Sequence, residues 1–566
     1  MLSNWRINFL LAFFILGGFL VAGRLFFWQI LSFDELAALA DSQHWISFEI
    51  PAQRGEILAS DGAPLASNQD SFLVFASLPD IKEKPDKIAE KLAPLLSPEE
   101  VATMSGLIKE RLSRQDLVWV PLKHRVSREI KSQIENLKID GIGFEEEQSR
   151  FYPEGSSSAH LLGFVGNDIN GQEKGYFGLE GYYDLELKGK PGLLKREKDA
   201  SGKPILIGEV KKEKERQGRT LVTTIDRTIQ FIINEKLKEG LARYGAVSGT
   251  VIVMEPTTGA VLGMASLPGY DPERFFAYDK SLYPNPAVAL SYEPGSTFKV
   301  LVMAAAINEG LVKPETRCDR CGGPRVIGDY TIKTWNEKYF PNSTMTEVIQ
   351  HSDNVGMVFV GEKLGIEKMY SYLQKFGLGR TTGIDLEDET SPKLRPKNEW
   401  KFIDLATASF GQGVALTPIQ MVRAIATIAN GGKLVKPYLV KEVITENGKR
   451  EINPKIEAEV LKPVTTSIVT EMMVNAVDSG EAKWAKPKGY RIAGKTGTAQ
   501  IPVAGHYDQE KTIASFVGFA PADNPRFVML VLLKEPSSSP WGSETAAPLW
   551  FDIAKEIFTY YGIQPG

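Results

Sequence analysis

The chain has 566 residues, of which 43% are hydrophobic and 24% are charged, so it is too long for one compact core and has the composition of a folded protein. Its 66 basic residues nearly balance its 70 acidic residues, which gives a formal net charge of −4. This balance excludes the strongly basic character typical of a nucleic-acid-binding protein, and we expect no nucleic-acid partner.

An apolar stretch near the amino terminus departs from this average composition. Between Ile7 and Gly23 the only strongly polar residue is Asn8, and a second apolar run follows soon after. Together the two runs exceed the roughly 20 residues that span a bilayer. We therefore predict a cytoplasmic tail at residues 1–8 and an uncleaved transmembrane anchor at 9–31 that exports the rest of the chain. A cleaved secretory signal is the alternative, because small residues end the first run.

The segment after the anchor is predicted to begin with a β-hairpin, because Asp61-Gly62 lies between two short apolar segments. Residues 80–140 have a helical pattern, in which Ser97-Pro98-Glu99-Glu100 predicts a capped helix start and Ser127 predicts the cap of a further helix. Glycines that recur with aromatic residues between 150 and 183 are typical of strands and turns.

A run of charged residues at 211–216 is predicted to be a solvated connector near the main domain boundary. Beyond it, the hydrophobic pattern predicts strands at 221–226, 249–254, 512–519 and 527–533 and helices at 228–242 and 547–560. Strands at both ends of a domain with helices between them predict an α/β or α+β unit whose sheet joins distant parts of the chain.

A candidate nucleophile follows in Ser296-Thr297-Phe298-Lys299. The preceding Pro294-Gly295 and the apolar run after it predict a helix that starts near the serine, so that Ser296 and Lys299 share one face. A serine hydroxyl needs a neighbouring base to become nucleophilic, and a helix amino terminus adds positive potential where an oxyanion would form. Because Ser-x-x-Lys also occurs by chance on solvated helices, this motif alone does not establish catalysis.

The only two cysteines of the chain are Cys318 and Cys321. A structural zinc site needs four ligands, so zinc would require helpers such as Asp319 or His351. In an exported chain, a local disulfide or a pair of free thiols is favoured over a metal.

Two further motifs favour the catalytic interpretation of Ser296. Ser352-Asp353-Asn354 and Lys495-Thr496-Gly497-Thr498 follow it in the order of the Ser-x-x-Lys, Ser-Asp-Asn and Lys-Thr-Gly motifs of penicillin-binding proteins and class A β-lactamases. Taken singly, the second motif is equally a helix cap and the third a strand and turn. The ordered set of three in one domain predicts a shared site.

Within this set, Lys299 is the predicted base. It acts as one only if it is neutral, which burial and the nearby cation Lys495 favour by lowering its pKa. Ser352 is predicted to relay a proton to the leaving amine, since a hydroxyl both donates and accepts. The Asn354 amide is expected to bind a peptide carbonyl and to reach Lys299.

The third motif is predicted to lie on an edge strand that binds the substrate. There Lys495, Thr496 and Thr498 offer a cation and hydroxyls to a terminal carboxylate, while Gly497 lets the substrate lie close to the strand. The backbone amides of Ser296 and Thr498 are predicted to form the oxyanion hole.

With these motifs the chain resembles the class B penicillin-binding proteins, single-pass transpeptidases that cross-link bacterial peptidoglycan. Further shared motifs run along the whole chain: Arg54-Gly55, Asp61-Gly62, Thr224-Ile225-Asp226, Tyr270-Asp271-Pro272, Asn285-Pro286-Ala287 and Gly411-Gln412-Gly413. The resemblance implies a multidomain α/β (α+β) fold. It places an elongated, mostly β, non-catalytic pedestal of the dimerisation type, with a helical insertion, at 32–215. A penicillin-binding transpeptidase domain with a mixed or antiparallel sheet flanked by helices follows at 216–566.

The resemblance also implies the reaction. Ser296 attacks the penultimate D-alanine carbonyl of a stem peptide, expels the terminal D-alanine and passes the acyl group to an amine of a neighbouring strand. β-Lactams acylate the same serine, and no cofactor or metal is needed. The protein is expected in the bacterial cytoplasmic membrane with its catalytic domain outside the cytoplasm, where a membrane-embedded glycosyltransferase is the expected partner.

Other functions remain open from the sequence. A D,D-carboxypeptidase or a serine β-lactamase would use the same serine but deliver water to the acyl-enzyme. A non-catalytic β-lactam sensor or a scaffold of the wall-synthesis complex would leave the serine unused. Among class B proteins, the stretches 376–379 and 382–386 look closer to the division and sporulation (FtsI-like) branch than to the elongation branch, so we expect septal wall synthesis.

Overall fold

The computed structural model describes residues 4–37, 45–114, 116–169, 171–197, 210–503 and 506–566, and the side chains of 46 and 502–510 lie outside this description. Residues 1–3 of the predicted cytoplasmic tail therefore also lie outside it. The chain forms two compact units. The first comprises Met1–Arg54 and Lys188–Gly218, and the second comprises Gly55–Leu187 and Arg219–Gly566.

The α-helices carry most of the residues discussed below. In chain order they are α1 (Asn4–Phe26), α2 (Pro85–Leu96), α3 (Val101–Leu112), α4 (Arg128–Asn136), α5 (Ala159–Leu162), α6 (Gly178–Tyr182), α7 (Asp184–Leu187), α8 (Arg227–Tyr244), α9 (Pro286–Ala289), α10 (Lys299–Asn308), α11 (Met345–Gln350), α12 (Asn354–Lys375), α13 (Phe402–Ser409), α14 (Pro418–Ala429), α15 (Pro463–Ser479) and α16 (Ala546–Tyr561). The helices predicted at 228–242 and 547–560 are thus confirmed as α8 and α16.

The strands form sheets in both units. In chain order they are β1 (Trp45–Ile50), β2 (Ile57–Leu58), β3 (Pro64–Ser77), β4 (Trp119–Val126), β5 (Ile142–Phe151), β6 (Phe164–Asn167), β7 (Glu173–Tyr176), β8 (Gly192–Glu197), β9 (Val210–Glu213), β10 (Thr220–Thr223), β11 (Ser248–Met254), β12 (Val261–Leu267), β13 (Arg325–Ile327), β14 (Tyr330–Ile332), β15 (Lys433–Val435), β16 (Val440–Thr445), β17 (Gly448–Glu451), β18 (Ile456–Glu459), β19 (Ala493–Val503), β20 (His506–Ala520) and β21 (Phe527–Lys534). The four predicted strands of the carboxyl-terminal domain are confirmed as β10, β11, β20 and β21.

The first unit contains an apolar helix and a three-stranded sheet. Asn4–Leu31 is the one helix within the described ranges that is long and apolar enough to cross a membrane, and its mean hydropathy is 2.2. In the sheet, β8 pairs antiparallel with β1 and β9. The connector predicted at 211–216 is therefore partly wrong, because Lys211 and Lys212 lie in β9. These residues pair with β8 on one side of the strand, and both side chains stay exposed.

A five-stranded antiparallel sheet organises the carboxyl-terminal part of the second unit, with strand order β12-β11-β21-β20-β19. Both faces of β21 are buried. Successive residues such as Leu530 and Val531 belong to different apolar clusters, since neighbouring side chains on a strand point to opposite faces. One cluster contains residues of α8 and α16, and the other contains residues of α10, α12, α14 and α15. This arrangement leaves β19 as an edge strand, packed against α15 and against the turn Gly295–Phe298 that precedes α10.

The amino-terminal part of the second unit confirms some predicted turns and corrects others. β2 and β3 form the predicted hairpin, with Gly62 in its turn at a φ of 86°. The capped start predicted at Ser97 is wrong. Ser97 ends α2, its amide donates to the Ala93 carbonyl, and Glu100 is the residue before α3. Ser127 does cap α4, because its hydroxyl accepts a hydrogen bond from the Ile130 amide.

The helical pattern predicted over 80–140 is interrupted by a strand. In β4, Val120, Leu122 and Val126 are buried against the helices, whereas the residues between them are partly or fully exposed. The strand pairs with β3, so its partner lies far away in the sequence.

The two cysteines form a disulfide, which confirms one of the alternatives drawn from the sequence. Both residues are fully buried in the core of the second unit. His351, considered as a helper for zinc, stacks instead on Phe340 with 4.1 Å between the ring centroids.

Candidate active site

Ser296 lies on a single 3-10 turn, Gly295–Phe298, that leads directly into α10. Gly295 has a φ of 56°, and its amide donates a 3.0 Å hydrogen bond to the Gly411 carbonyl. In a 3-10 turn, side chains three positions apart eclipse one another. Ser296 is partly exposed, whereas Lys299 is fully buried. The helix start predicted near the serine is confirmed.

The Lys299 side chain is held by acceptors from the second motif. Its Nζ donates to the Ser352 carbonyl at 2.6 Å and to Asn354 Oδ1 at 2.7 Å, and it lies 3.2 Å from Ser352 Oγ. Burial, reinforced by the charge of Lys495, holds the pKa of Lys299 well below its usual value of 10.5. A neutral amine has two N–H donors and one lone pair. In the neutral form the two shorter hydrogen bonds use both donors, and the lone pair can accept a proton from a hydroxyl such as that of Ser352, 3.2 Å away.

Ser352 lies between the two lysines. Its Oγ is 3.2 Å from Lys299 Nζ and 3.1 Å from Lys495 Nζ. Its φ of 55° falls in the left-handed region that residues other than glycine rarely adopt. In this conformation both its carbonyl and its hydroxyl contact Lys299. Backbone strain of this kind is common at active sites, where the surrounding structure holds it in place.

The other two residues of this motif set the start of α12. The Asp353 carboxylate accepts hydrogen bonds from the amides of Val355 and Gly356, at 2.8 and 3.1 Å, and so caps the helix. The helix-cap interpretation of Ser-Asp-Asn is therefore correct, and it is compatible with a role in the site. The Asn354 amide is held at both ends, because Oδ1 accepts from Lys299 and Nδ2 donates to the Lys333 carbonyl at 2.9 Å.

The third motif lies on β19, the edge strand of the five-stranded sheet, as the sequence predicts. Lys495 is buried, and its Nζ donates to Ser352 Oγ and to Thr496 Oγ1, each at 3.1 Å. Burial lowers the pKa of Lys495 to about 8. The residue is therefore mostly a cation at neutral pH.

Gly497 brings this strand against the turn that carries Ser296. A Cβ at Gly497 would lie 2.6 Å from Ser515 Oγ and 2.7 Å from Thr297 Cγ2, so a side chain does not fit. This packing supplies a reason for the glycine in addition to the close approach of substrate expected from the sequence. The neighbouring Thr498 hydroxyl accepts a 3.0 Å hydrogen bond from the Gly542 amide.

The three motifs meet in one cleft of about 230 Å³. The predicted site residues that line it are Ser296, Ser352, Asn354, Thr496, Gly497 and Thr498. Lys299 and Lys495 are buried next to this lining and bond to it through Ser352. The structure thus brings together every side chain that the sequence assigned to the site.

The cleft also contains residues that the motifs do not include: Gly295, Trp335, Phe410, Gln412, Glu481, Gln500, Thr512, Pro540 and Trp541. The Trp335 and Trp541 rings lie 4.9 Å apart between centroids, although they come from different loops. Gln412 belongs to the Gly411-Gln412-Gly413 stretch, one of the motifs shared with class B penicillin-binding proteins. Gly295 belongs to the predicted helix start and Thr512 to a predicted strand, whereas the remaining residues carry no local sequence signal because only the fold makes them neighbours.

This arrangement is suited to acyl transfer. A partly exposed hydroxyl lies one turn from an amine whose pKa is lowered, and a second hydroxyl joins that amine to a cation. Such a set can deprotonate a nucleophile, protonate a leaving amine and hold a carboxylate without moving any element of the fold.

Comparisons with known proteins agree with this chemistry. A family model described as penicillin binding protein transpeptidase domain matches residues 249–559, and one described as penicillin-binding protein dimerisation domain matches residues 49–223. Stage V sporulation protein D of Bacillus subtilis is 34% identical, over 99% of this chain and 86% of its own. Peptidoglycan D,D-transpeptidase FtsI of Escherichia coli is 29% identical, over 99% of this chain and 93% of its own.

A solved structure gives the same result. The crystal structure of penicillin binding protein 3 from Mycobacterium tuberculosis, complexed with aztreonam, superimposes with a TM-score of 0.70 at 26% identity. The match covers 92% of this chain and 98% of that one. The chain therefore belongs to the penicillin-binding protein transpeptidase family. Because it matches both the dimerisation and the transpeptidase domains, it is a class B member, a peptidoglycan D,D-transpeptidase.

Proposed function

We propose that this transpeptidase works through an acyl-enzyme on Ser296. The observation that carries the proposal is the position of Ser352 Oγ, 3.2 Å from Lys299 Nζ and 3.1 Å from Lys495 Nζ. Lys299 takes the Ser296 proton as the serine oxygen attacks the penultimate D-alanine carbonyl. Ser352 then gives its hydroxyl proton to the departing D-alanine as its C–N bond breaks, and takes the proton from Lys299 in return. An amine of a second stem peptide then attacks the ester, gives up its proton along the same route and releases Ser296.

The third motif binds the donor peptide in this proposal. Lys495, with the hydroxyls of Thr496 and Thr498, holds the terminal carboxylate, and Gly497 lets the peptide lie along β19. The backbone amides of Ser296 and Thr498 stabilise the oxyanion. The partial exposure of both threonines in the cleft and the cationic state of Lys495 support this assignment.

We place the reaction outside the cytoplasm, in septal wall synthesis. Asn4–Leu31 anchors the chain in the cytoplasmic membrane, residues 32–215 serve as a pedestal and 216–566 catalyse. The apolar helix and the dimerisation-domain match at 49–223 support this division. The FtsI and sporulation relatives support the division and sporulation branch. A membrane-embedded glycosyltransferase supplies the glycan strands.

A labelled penicillin tests the central step. We expect the full-length protein in detergent to form a persistent adduct, and Ser296→Ala to form none. Ser291→Ala, which removes an exposed serine from the same segment, is the matched control and should label normally. Rapid hydrolysis of the penicillin by the wild type would favour a β-lactamase, and labelling of Ser296→Ala would place the nucleophile elsewhere.

The orientation is tested separately in intact spheroplasts. An externally added protease should degrade the chain beyond the anchor. Full protection of the transpeptidase domain would contradict an extracytoplasmic site, whatever the labelling experiment gives.

A further inference from the structure

Glu481 is a charged residue of the cleft that no motif includes. It lines the cleft together with Ser352, Asn354 and Thr496. It follows the end of α15, and this helix packs against both α11 and β19. Helix α11 ends just before Ser352, and strand β19 carries Lys495. The position of Glu481 therefore depends on the same two elements that position the proton relay.

Close packing at Gly480 fixes this position. A Cβ at Gly480 would lie 2.2 Å from the Ala476 carbonyl oxygen and 3.1 Å from the Gln350 carbonyl oxygen. Gln350 also donates a 3.5 Å hydrogen bond from its side chain to the Ser479 carbonyl. These contacts pack the residues before Glu481 against Gln350, in the segment that leads into Ser352.

One carboxylate oxygen of Glu481 has no hydrogen-bond partner in the described structure. Its Oε1 is buried, and no group among the described residues donates a hydrogen bond to it. A buried carboxylate oxygen without a donor costs free energy unless positive charge lies nearby. Glu481 interacts electrostatically with two buried lysines beside the cleft, Lys495 and Lys299.

The charged groups around the two lysines come from four elements. Lys299 begins α10, Lys495 lies on β19, Asp353 caps α12, and Glu481 follows α15. Burial raises the pKa of Asp353, and the electrostatic interaction with His351 opposes this increase. Burial lowers the pKa of both lysines, and the negative charge of Glu481 opposes this effect at each of them. Asp353 acts in the same direction, but only on Lys299.

We infer that Glu481 is a positioning residue for transpeptidation, whose negative charge keeps Lys495 in the cationic form that binds the substrate carboxylate. The inference rests on the proposed roles of Ser296 and Lys495. A carboxylate in direct contact with Lys495 would compete with that of the substrate. One placed nearby in the cleft stabilises the cation through space and leaves its hydrogen bonds to Ser352 and Thr496 in place.

The test is the pH profile of acylation in Glu481→Gln. The second-order rate constant for a fluorescent penicillin is measured for the full-length protein in detergent from about pH 5.5 to 10. The acid limb reports the loss of the proton from Lys299, and the alkaline limb reports its loss from Lys495. Without the carboxylate both cations are less stable, so both limbs should move to lower pH by about one unit.

Matched variants separate this role from a structural one. Glu471→Gln removes the same charge from an exposed position on α15, where Glu471 pairs with Arg491, and its profile should match the wild type. Glu481→Asp keeps the charge on a side chain that is one methylene shorter. It should therefore shift both limbs in the same direction as Glu481→Gln, but by less. It supplies the same test if Glu481→Gln does not fold.

A Glu481→Gln profile that is lower at every pH, with both limbs unmoved, would overturn the inference. Equal shifts in Glu471→Gln would overturn it too, because the effect would then follow net charge. Ser296→Ala, measured alongside, distinguishes these outcomes from a failure of the proposed function: if that variant still labels, the nucleophile is wrong whatever Glu481 does.

Discussion

The cleft and the helical region formed by α2, α3, β4 and α4 differ in what they bury. The cleft buries Lys299, Ser352 and Lys495, which are 0%, 4% and 3% exposed. In the helical region, in contrast, every buried side chain among the described residues from 72 to 148 is apolar. Removing a lysine from water costs free energy, whereas burying an aliphatic side chain contributes roughly 1.5–3 kcal/mol. Burial of the cleft lysines therefore lowers the free energy of unfolding but places reactive groups in the cleft. The apolar core of the helical region raises the free energy of unfolding and contains no such groups.

The largest expected effect separates the two regions at Lys299. Lys299→Met keeps the aliphatic stem but removes the base, so the rate of penicillin acylation should fall by at least about a thousandfold. Thermal unfolding should still show a cooperative transition. Lys313→Met, at an exposed position, is the matched control and should acylate normally. Normal acylation by Lys299→Met would show that another group is the base and that the cleft does not use its buried amine.

The reverse effect is expected at Ile88, which is fully buried in the helical region. Ile88→Ala should lower the free energy of unfolding by about 2–4 kcal/mol, because it removes buried methyl groups and leaves a cavity. The acylation rate per folded molecule should not change. Urea denaturation and active-site titration measure the two quantities, with Val101→Ala at a position 38% exposed as the control. A slower reaction in folded Ile88→Ala would mean that the helical region takes part in the chemistry.

A smaller effect is expected from pH. Lys495 has a pKa lowered to about 8, so it is a cation below that pH and loses its charge above it. Acylation by a penicillin that carries a free carboxylate should therefore fall roughly tenfold per pH unit above about pH 8. The methyl ester of the same penicillin lacks the charge that Lys495 binds and should show a weaker decline. Parallel profiles for acid and ester would argue against this role of Lys495.

The smallest expected effect concerns the Ser127 cap of α4. Ser127→Ala removes the acceptor for the Ile130 amide and should lower the free energy of unfolding by about 1 kcal/mol. Ser127→Asn restores an acceptor and should recover most of the loss. Acylation should be the same in both variants. An unchanged unfolding free energy in Ser127→Ala would show that the cap contributes little in this region.

The sequence predicted the parts of the site that depend on short-range order. Ser296 and Lys299 lie one turn apart whatever surrounds them, and the edge strand of Lys495 was predicted from the Lys-Thr-Gly motif. The Ser-Asp-Asn motif was ambiguous between a cap and a catalytic role because it serves as a cap and also lies in the cleft. Trp335 and Glu481 had no signal, since they reach the cleft only through packing between distant elements.

The same distinction explains the errors in the helical region. Ser97 followed by proline and glutamate fits the capping pattern, but the chain uses this stretch to turn between α2 and α3, and the serine ends the first helix. The strand β4 was missed because its partner β3 is remote in the sequence. Its buried residues Val120 and Leu122 also lie between two amphipathic helices, which hides their alternation.

The contact between Asn354 and the Lys333 carbonyl has a consequence for the evolution of drug susceptibility. The group that holds the Asn354 amide belongs to the main chain, so a substitution at position 333 keeps this acceptor. A change in the length of the loop between β14 and α11 would move that carbonyl away from the amide, although every residue of the cleft would keep its identity. We therefore expect a change in the length of this loop, and not a substitution at 333, to lower β-lactam affinity at this point of the cleft.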